Sequence, residues 1–200
     1  MRTLIFALTL FSTPVLAQPF APTTMRVTGT IEAADADSIT VRALEGGGTN
    51  KVALTRDAKV FGVATTTLAE VKPGAFVGVG ATPNADGSQR AIRVTVFAES
   101  QRGLGEGFRP WDRAPHGTMT NATVAETVKG IDGQVLTVKY KGGDKRIVVP
   151  PDARILAYSV GDRSELKVGA HVAILRAKRK LDGSWETDRV NVGRGGVIPD

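Results

Sequence analysis

The chain repeats itself, and this constrains its fold more than any other feature. Ser38-Ile39-Thr40-Val41 answers to Val135-Leu136-Thr137-Val138 at a spacing of about 97, and Asp57-Ala58-Lys59-Val60 answers to Asp152-Ala153-Arg154-Ile155. Val71-Lys72-Pro73-Gly74-Ala75-Phe76-Val77 matches Leu166-Lys167-Val168-Gly169-Ala170-His171-Val172. Asp86-Gly87-Ser88 matches Asp182-Gly183-Ser184, and Arg93-Val94-Thr95-Val96 matches Arg189-Val190-Asn191-Val192. These blocks keep their order at a nearly constant offset. They predict two copies of one unit of roughly 75 residues, at 26–99 and 123–193, joined by a Gly/Pro/Arg-rich linker at 100–122 and followed by a tail at 194–200.

Within each copy the hydrophobic period is two, the mark of strands with one buried face. Val27, Gly29, Ile31 and Ala33 alternate with Thr28, Thr30 and Glu32; Ile39 and Val41 alternate with Thr40 and Arg42. Lys51–Leu54 follows a Gly-rich turn, and a short helical turn is expected over Thr66–Val71, ended by Pro73-Gly74. Two more strands, Ala75–Ala81 and Arg90–Phe97, flank the hairpin signal Asn84-Ala85-Asp86-Gly87. Three strands, one helical turn and two strands is the order of a five-stranded Greek-key barrel of the OB type. The expected class is therefore all-β, as two tandem OB-like barrels, each with one short helical turn. Gly74 and Gly169 suit turns needing positive φ, and Asp86-Gly87 and Asp182-Gly183 suit tight hairpins, so most shared positions serve the scaffold.

Residues 1–17 read as a secretory signal peptide. Met1-Arg2 is a positive start, Thr3–Phe11 is almost wholly apolar, and Val15-Leu16-Ala17 offers a cleavage site. A run of about nine apolar residues is far short of the ~20 that span a bilayer, and no later run approaches that length. An N-terminal extension, 18–25, follows. The mature chain is expected to be periplasmic or secreted.

Composition narrows the chemistry. The chain has no Cys and 2 His, which excludes zinc fingers, iron–sulfur clusters, disulfide frameworks and cysteine nucleophiles. His171 stands where the first copy has Phe76 and reads as a strand position. His116 lies in the linker, where Pro115 prevents a helical metal pair with Asp112. No metal site, no cofactor and no catalytic residue emerges, and the chain is read as no enzyme. Residues 123–200 carry 14 basic and 10 acidic groups, so most of the excess positive charge sits in the second half.

The motifs Gly29-Thr30-Ile31-Glu32-Ala33, Asp57-Ala58-Lys59-Val60 and Leu68-Ala69-Glu70-Val71-Lys72-Pro73-Gly74-Ala75 resemble a family of exported bacterial β-domains of unknown function, often found in tandem. The segment from Arg102 through Glu106 and Arg109-Pro110-Trp111-Asp112 is similar to the joining segment of its two-copy members. The resemblance implies an OB-like fold and export. It carries no activity, cofactor or catalytic residue.

Two segments hold functional promise. In the linker, Arg102, Glu106, Phe108, Arg109, Trp111 and Asp112 form either a strap, with Trp111 wedged between domains and Arg109 paired with a carboxylate, or a binding loop anchored by Trp and Arg. In the second copy, Arg176, Lys178, Arg179 and Lys180 beside Trp185 form either a solvated hairpin that discourages edge pairing or an anion patch with an aromatic platform. The expected function is a non-catalytic exported module that binds an envelope protein or polysaccharide. The alternative is an anionic-polymer binder, for nucleic acid or phosphorylated glycan, working through hairpin 176–180.

Overall fold

The computed structural model of the chain describes residues 23–130 and 133–199. The expected leader and residues 18–22 of the extension lie outside the described residues. The fold is all-β, with short 3₁₀ turns at Leu68–Glu70, Glu99–Gln101 and Arg163–Glu165. Its strands are β1 (Thr24–Ala34), β2 (Ser38–Ala43), β3 (Thr49–Thr65), β4 (Phe76–Pro83), β5 (Gln89–Val96) and β6 (Gly107–Pro110). They continue with β7 (Thr118–Gly130), β8 (Gly133–Tyr140), β9 (Gly143–Val149), β10 (Arg154–Gly161), β11 (His171–Arg179) and β12 (Trp185–Gly193). Among the described residues no helix is long and apolar enough to cross a membrane.

A closed five-strand barrel runs β1-β2-β3-β12-β11 and back to β1. Its closure joins distant parts of the chain. β1 meets β11 antiparallel through Thr28↔Ala173 and Thr30↔His171, and β3 meets β12 in parallel through Val52↔Trp185 and Val60↔Val190. Ile31, Ile39, Val41 and Val52 pack there against Val172, Ile174, Val190 and Val192. The remaining strands group around a second core. There β4 and β5 lie beside β7, β8 and β9, and Val77, Val79 and Val94 pack on Val124, Leu136 and Ile147. β5 reaches β9 through Gln89↔Ile147 and Arg90↔Val148.

This corrects the expectation that each barrel closes within 26–99 or 123–193. Strands β1–β3 complete their barrel with β11 and β12, while β4 and β5 join β7–β9. The length of β3 is the physical reason. At ~3.3 Å per residue its 17 residues reach over ~50 Å, more than one wall of a small barrel needs. The strand bulges past Thr55–Ala58, where the partner register jumps from Leu54 to Lys59, and continues across the molecule to deliver β4 and β5 to the other group. In the second half Pro150-Pro151, lacking N–H donors, breaks the same path, and β10 resumes it toward the closed barrel.

β3 and β10 cross antiparallel at the centre. Val63 lies opposite Tyr158, the position it matches in the sequence, flanked by Phe61↔Val160 and Thr65↔Leu156. With β12 beside β3 and β5 beside β10, the four strands form a central sheet, β12-β3-β10-β5, between the two cores.

The linker is more ordered than its composition suggests. β7 begins at Thr118, inside the segment read as 100–122, and β6 folds back on it through Phe108↔Thr120 and Arg109↔Met119. The expected helical turn at Thr66–Val71 shrinks to Leu68–Glu70, and Thr67 makes no side-chain cap there. Its counterpart Arg163–Glu165 is capped, with Asp162 accepting from the Ser164 amide at 2.8 Å.

Candidate functional site

A cleft of about 500 Å³ opens over one face of the central sheet. Period two fixes what this face presents. Arg93 and Thr95 on β5, Tyr158 on β10, and Arg189 and Asn191 on β12 alternate with core residues such as Val94 and Val190, and all five border the cleft. The matched positions Arg93 and Arg189 therefore stand on two sides of one opening. Their planar guanidinium groups are held against aromatic rings, Arg93 at 5.4 Å from the Trp111 centroid and Arg189 at 5.4 Å from that of Phe61.

Both segments singled out in the sequence converge here. From the linker, Arg109 borders the cleft, and its Nη1 donates to the Gly105 carbonyl at 2.8 Å instead of pairing with a carboxylate. From β11 come Leu175, Arg176 and Lys178. A bulge explains their aim: Val27 and Met25 of β1 oppose Ile174 and Ala177, so both Leu175 and Arg176 turn outward between two buried neighbours. β12 has its own irregularity at Thr187–Arg189, where the Thr187 hydroxyl donates to the Arg189 carbonyl at 2.9 Å and Asp188 swings to the rim.

The other predicted residues do different work. The distal end of the Trp111 ring covers Gly80, where an added Cβ would sit 2.6 Å from it, and the half-buried tryptophan serves as a platform for Arg93. Arg102 pairs with Glu99 and donates to the Gly74 carbonyl at 2.9 Å, tying the linker to the turn before β4. Glu106 accepts from the Lys141 amide, and Phe108 lies under the Lys145 ammonium at 4.6 Å. Asp112 is exposed. Arg179 stacks over Trp185 at 6.0 Å and Lys180 pairs with Asp182 at 3.8 Å, so these three lie outside the cleft. The edge-protection reading of 176–180 does not hold, because β11 is paired on both sides.

Sequence reasoning missed the polar wall. Asn121 and Asn191 are 5% and 1% exposed, and Gln101 is 2% exposed, yet each keeps one side-chain atom without a hydrogen-bond partner. The Nδ2 of Asn121 donates to the Leu104 carbonyl at 2.9 Å, which leaves its Oδ1 unsatisfied. The Oδ1 of Asn191 is likewise unsatisfied, as is the Nε2 of Gln101, whose Oε1 accepts from the Ala98 amide. A buried polar atom without a partner costs about 1–3 kcal/mol. All three residues border the cleft, so the unpartnered polar atoms belong to its wall.

The opposite face of the central sheet is a structural clamp. Arg194 lies against Gly62, donates to the Ser159 hydroxyl at 2.6 Å and pairs with both oxygens of Glu165 at 2.8 Å. The guanidinium bonds hold the Glu165 carboxyl below the ordinary carboxylate value. Asp86, Asp162 and Asp182 are also held low, each by the hydroxyl and amide of the serine two residues on. Each of these shifts has a complete partner inside a turn or clamp, and none of these carboxylates borders the cleft. Among the described residues no group of three His, Asp or Glu side chains is arranged to hold a metal ion.

No protein-family model matches the chain, and neither the curated proteins nor the solved structures yield a match.

Proposed function

We propose that the protein is an exported, non-catalytic binding protein whose cleft holds an anionic ligand of the cell envelope. One observation carries the reading: Arg93, Arg109, Arg176, Lys178 and Arg189 border the cleft against the lone carboxylate of Asp188. Cations gathered around a recess with low-dielectric walls focus a positive potential there and draw anions in. Arginine suits the task, because its planar fork matches carboxylate and phosphate oxygens two at a time.

A polysaccharide is favoured over an envelope protein on size. The recess falls in the range of small-molecule sites, ~300–1,000 Å³, whereas a stable protein partner buries roughly 1,200–2,000 Å² across a broad patch. Nucleic acid is disfavoured because its single strands are held by stacking on open aromatic faces. Trp185 lies outside the cleft, and Tyr158 is engaged edge-to-face with Phe97 at 5.6 Å. The non-catalytic reading draws support from the lining, which holds one carboxylate where glycoside hydrolysis uses two, and neither histidine.

Export rests on the leader pattern at 1–17, and the periplasm is its destination in a Gram-negative cell. The closed barrel's order supports an OB-type ancestry: first, second and third strands, then the fifth and fourth of the other copy. On this account the tandem family resemblance describes a duplicated unit whose last two strands have changed places.

Calorimetric titration with a polyuronate tests the proposal. Affinity is expected to fall at least tenfold between about 50 and about 200 mM salt, since binding a polyanion releases its counterions. Prolonged incubation is expected to release no reducing ends. Affinity indifferent to salt contradicts the anionic reading, and steady release of reducing ends contradicts the non-catalytic one.

A further inference from the structure

The cleft's cations describe only half of its chemistry. A bare, fully deprotonated anion such as sulfate brings oxygen acceptors, which satisfy guanidinium, ammonium and the free Nε2 of Gln101. It brings no donor for the Oδ1 atoms of Asn121 and Asn191, which are buried and without partners. An ion alone leaves both carbonyl oxygens unsatisfied.

From this combination we infer that the ligand is an acidic sugar, a uronic-acid or phosphorylated unit whose hydroxyl groups donate to Asn121 and Asn191 while its anionic group lies among Arg93, Arg189 and Arg109. The inference rests on the anionic reading of the cleft and names the class of ligand that fits it. Asp188 at the rim adds a third acceptor for hydroxyls. The apolar surface of Phe97 and Leu175 offers contact to the C–H face of a sugar ring. The two asparagines come from different strands, Asn191 from β12 at one edge of the central sheet and Asn121 from β7, which lies beyond the other edge next to β4. A ligand reaching both must span the cleft, which suits a ring with hydroxyls on several edges better than a compact ion.

The sequence itself offers substitutions that keep the fold. Thr95 matches Asn191 in the repeat, and Thr28 matches Asn121 by strand position, since Ile31 and Val124 donate equivalently to Ala170 and Ala75. Threonine's shorter hydroxyl does not reach where the asparagine carbonyl does.

The experiment is calorimetry on the mature protein with three probes: a uronic-acid oligosaccharide, inorganic sulfate and an oligoglutamate peptide. The inference expects the oligosaccharide to bind at least tenfold tighter than either other probe. Asn121→Leu with Asn191→Leu should weaken the oligosaccharide about tenfold to a hundredfold and leave sulfate unchanged. Asn121→Thr with Asn191→Thr should act in the same direction, and it keeps the test open should the leucine variant fail to fold. Equal binding of oligoglutamate, or asparagine variants without effect while arginine variants weaken the oligosaccharide, overturns the sugar inference alone. Arginine variants without effect on any probe overturn the anionic cleft itself, and the inference with it.

Discussion

A chain cut once in the exposed turn at residues 112–116 is expected to remain one particle. Its two pieces should elute together and unfold in a single transition, although each carries a whole copy of the repeat. The energetics decide this. Without β11 and β12, the strands β1–β3 lose the contribution of Val172, Ile174, Val190 and Val192, all at most 3% exposed. At about 1.5–3 kcal/mol for each fully buried side chain, the loss is about 6–12 kcal/mol, comparable to the entire stability of an ordinary domain. The first piece made alone should accordingly show no folded monomer, and mixing it with the second should restore strand signal in circular dichroism. Two pieces that separate and unfold independently would match self-contained barrels instead.

The second large effect concerns the paired arginines. Arg93→Gln with Arg189→Gln removes both stacked guanidinium groups while keeping side chains of similar reach. Hydrogen bonds to charged groups are worth about 1.5–3 kcal/mol each, so the double variant should lose about 3–6 kcal/mol of binding, roughly a hundredfold to ten-thousandfold for the uronic-acid probe. Calorimetry reads the affinity, and thermal unfolding should stay within a few degrees of the parent, because both side chains border solvent rather than a core. An unchanged affinity would remove the cleft from the account.

Much of the secondary structure was legible in the sequence because period two is a local signal. The alternations over Val27–Ala33 and Ile39–Val41, the Asp-Gly turns and the order of strands and turns all lie within a few residues of one another. Positive φ at Gly74, Gly87, Gly169 and Gly183 follows the same local logic. The pairing of strands was not legible. Both copies carry the same alternation, so period two alone does not say whether β1 pairs with β4 or with β11; the chain pairs it with β11 because β3 carries β4 and β5 across to the other group. The alternation at Lys51–Leu54 carries no sign that the strand runs on, whereas the bulge at Thr55–Ala58 continues it to Thr65 as β3.

The site was half legible for the same reason. Arg109, Arg176 and Lys178 drew notice as parts of charge-rich or glycine-rich segments. Arg93 and Arg189 were visible only as matched letters of the repeat. A charged residue kept at the same place in both copies, each time just before a buried valine, was a signal that the two share a surface. The asparagines gave no such signal, because their significance lies in partners they lack, and unsatisfied atoms have no sequence pattern.

Cysteine cross-linking tests the strand exchange most directly, and the absence of native cysteines leaves no competing thiol. Thr30 faces His171 across β1 and β11, at the ~4.5–5.5 Å Cα separation of antiparallel neighbours, within the reach of a disulfide. Thr30→Cys with His171→Cys should oxidise to an intramolecular bond that shifts the monomer on a non-reducing gel. Thr30→Cys with Phe76→Cys, the pairing that a barrel closed within the first copy demands, should stay reduced. The reverse outcome, a bond to position 76 and none to position 171, would contradict the exchange.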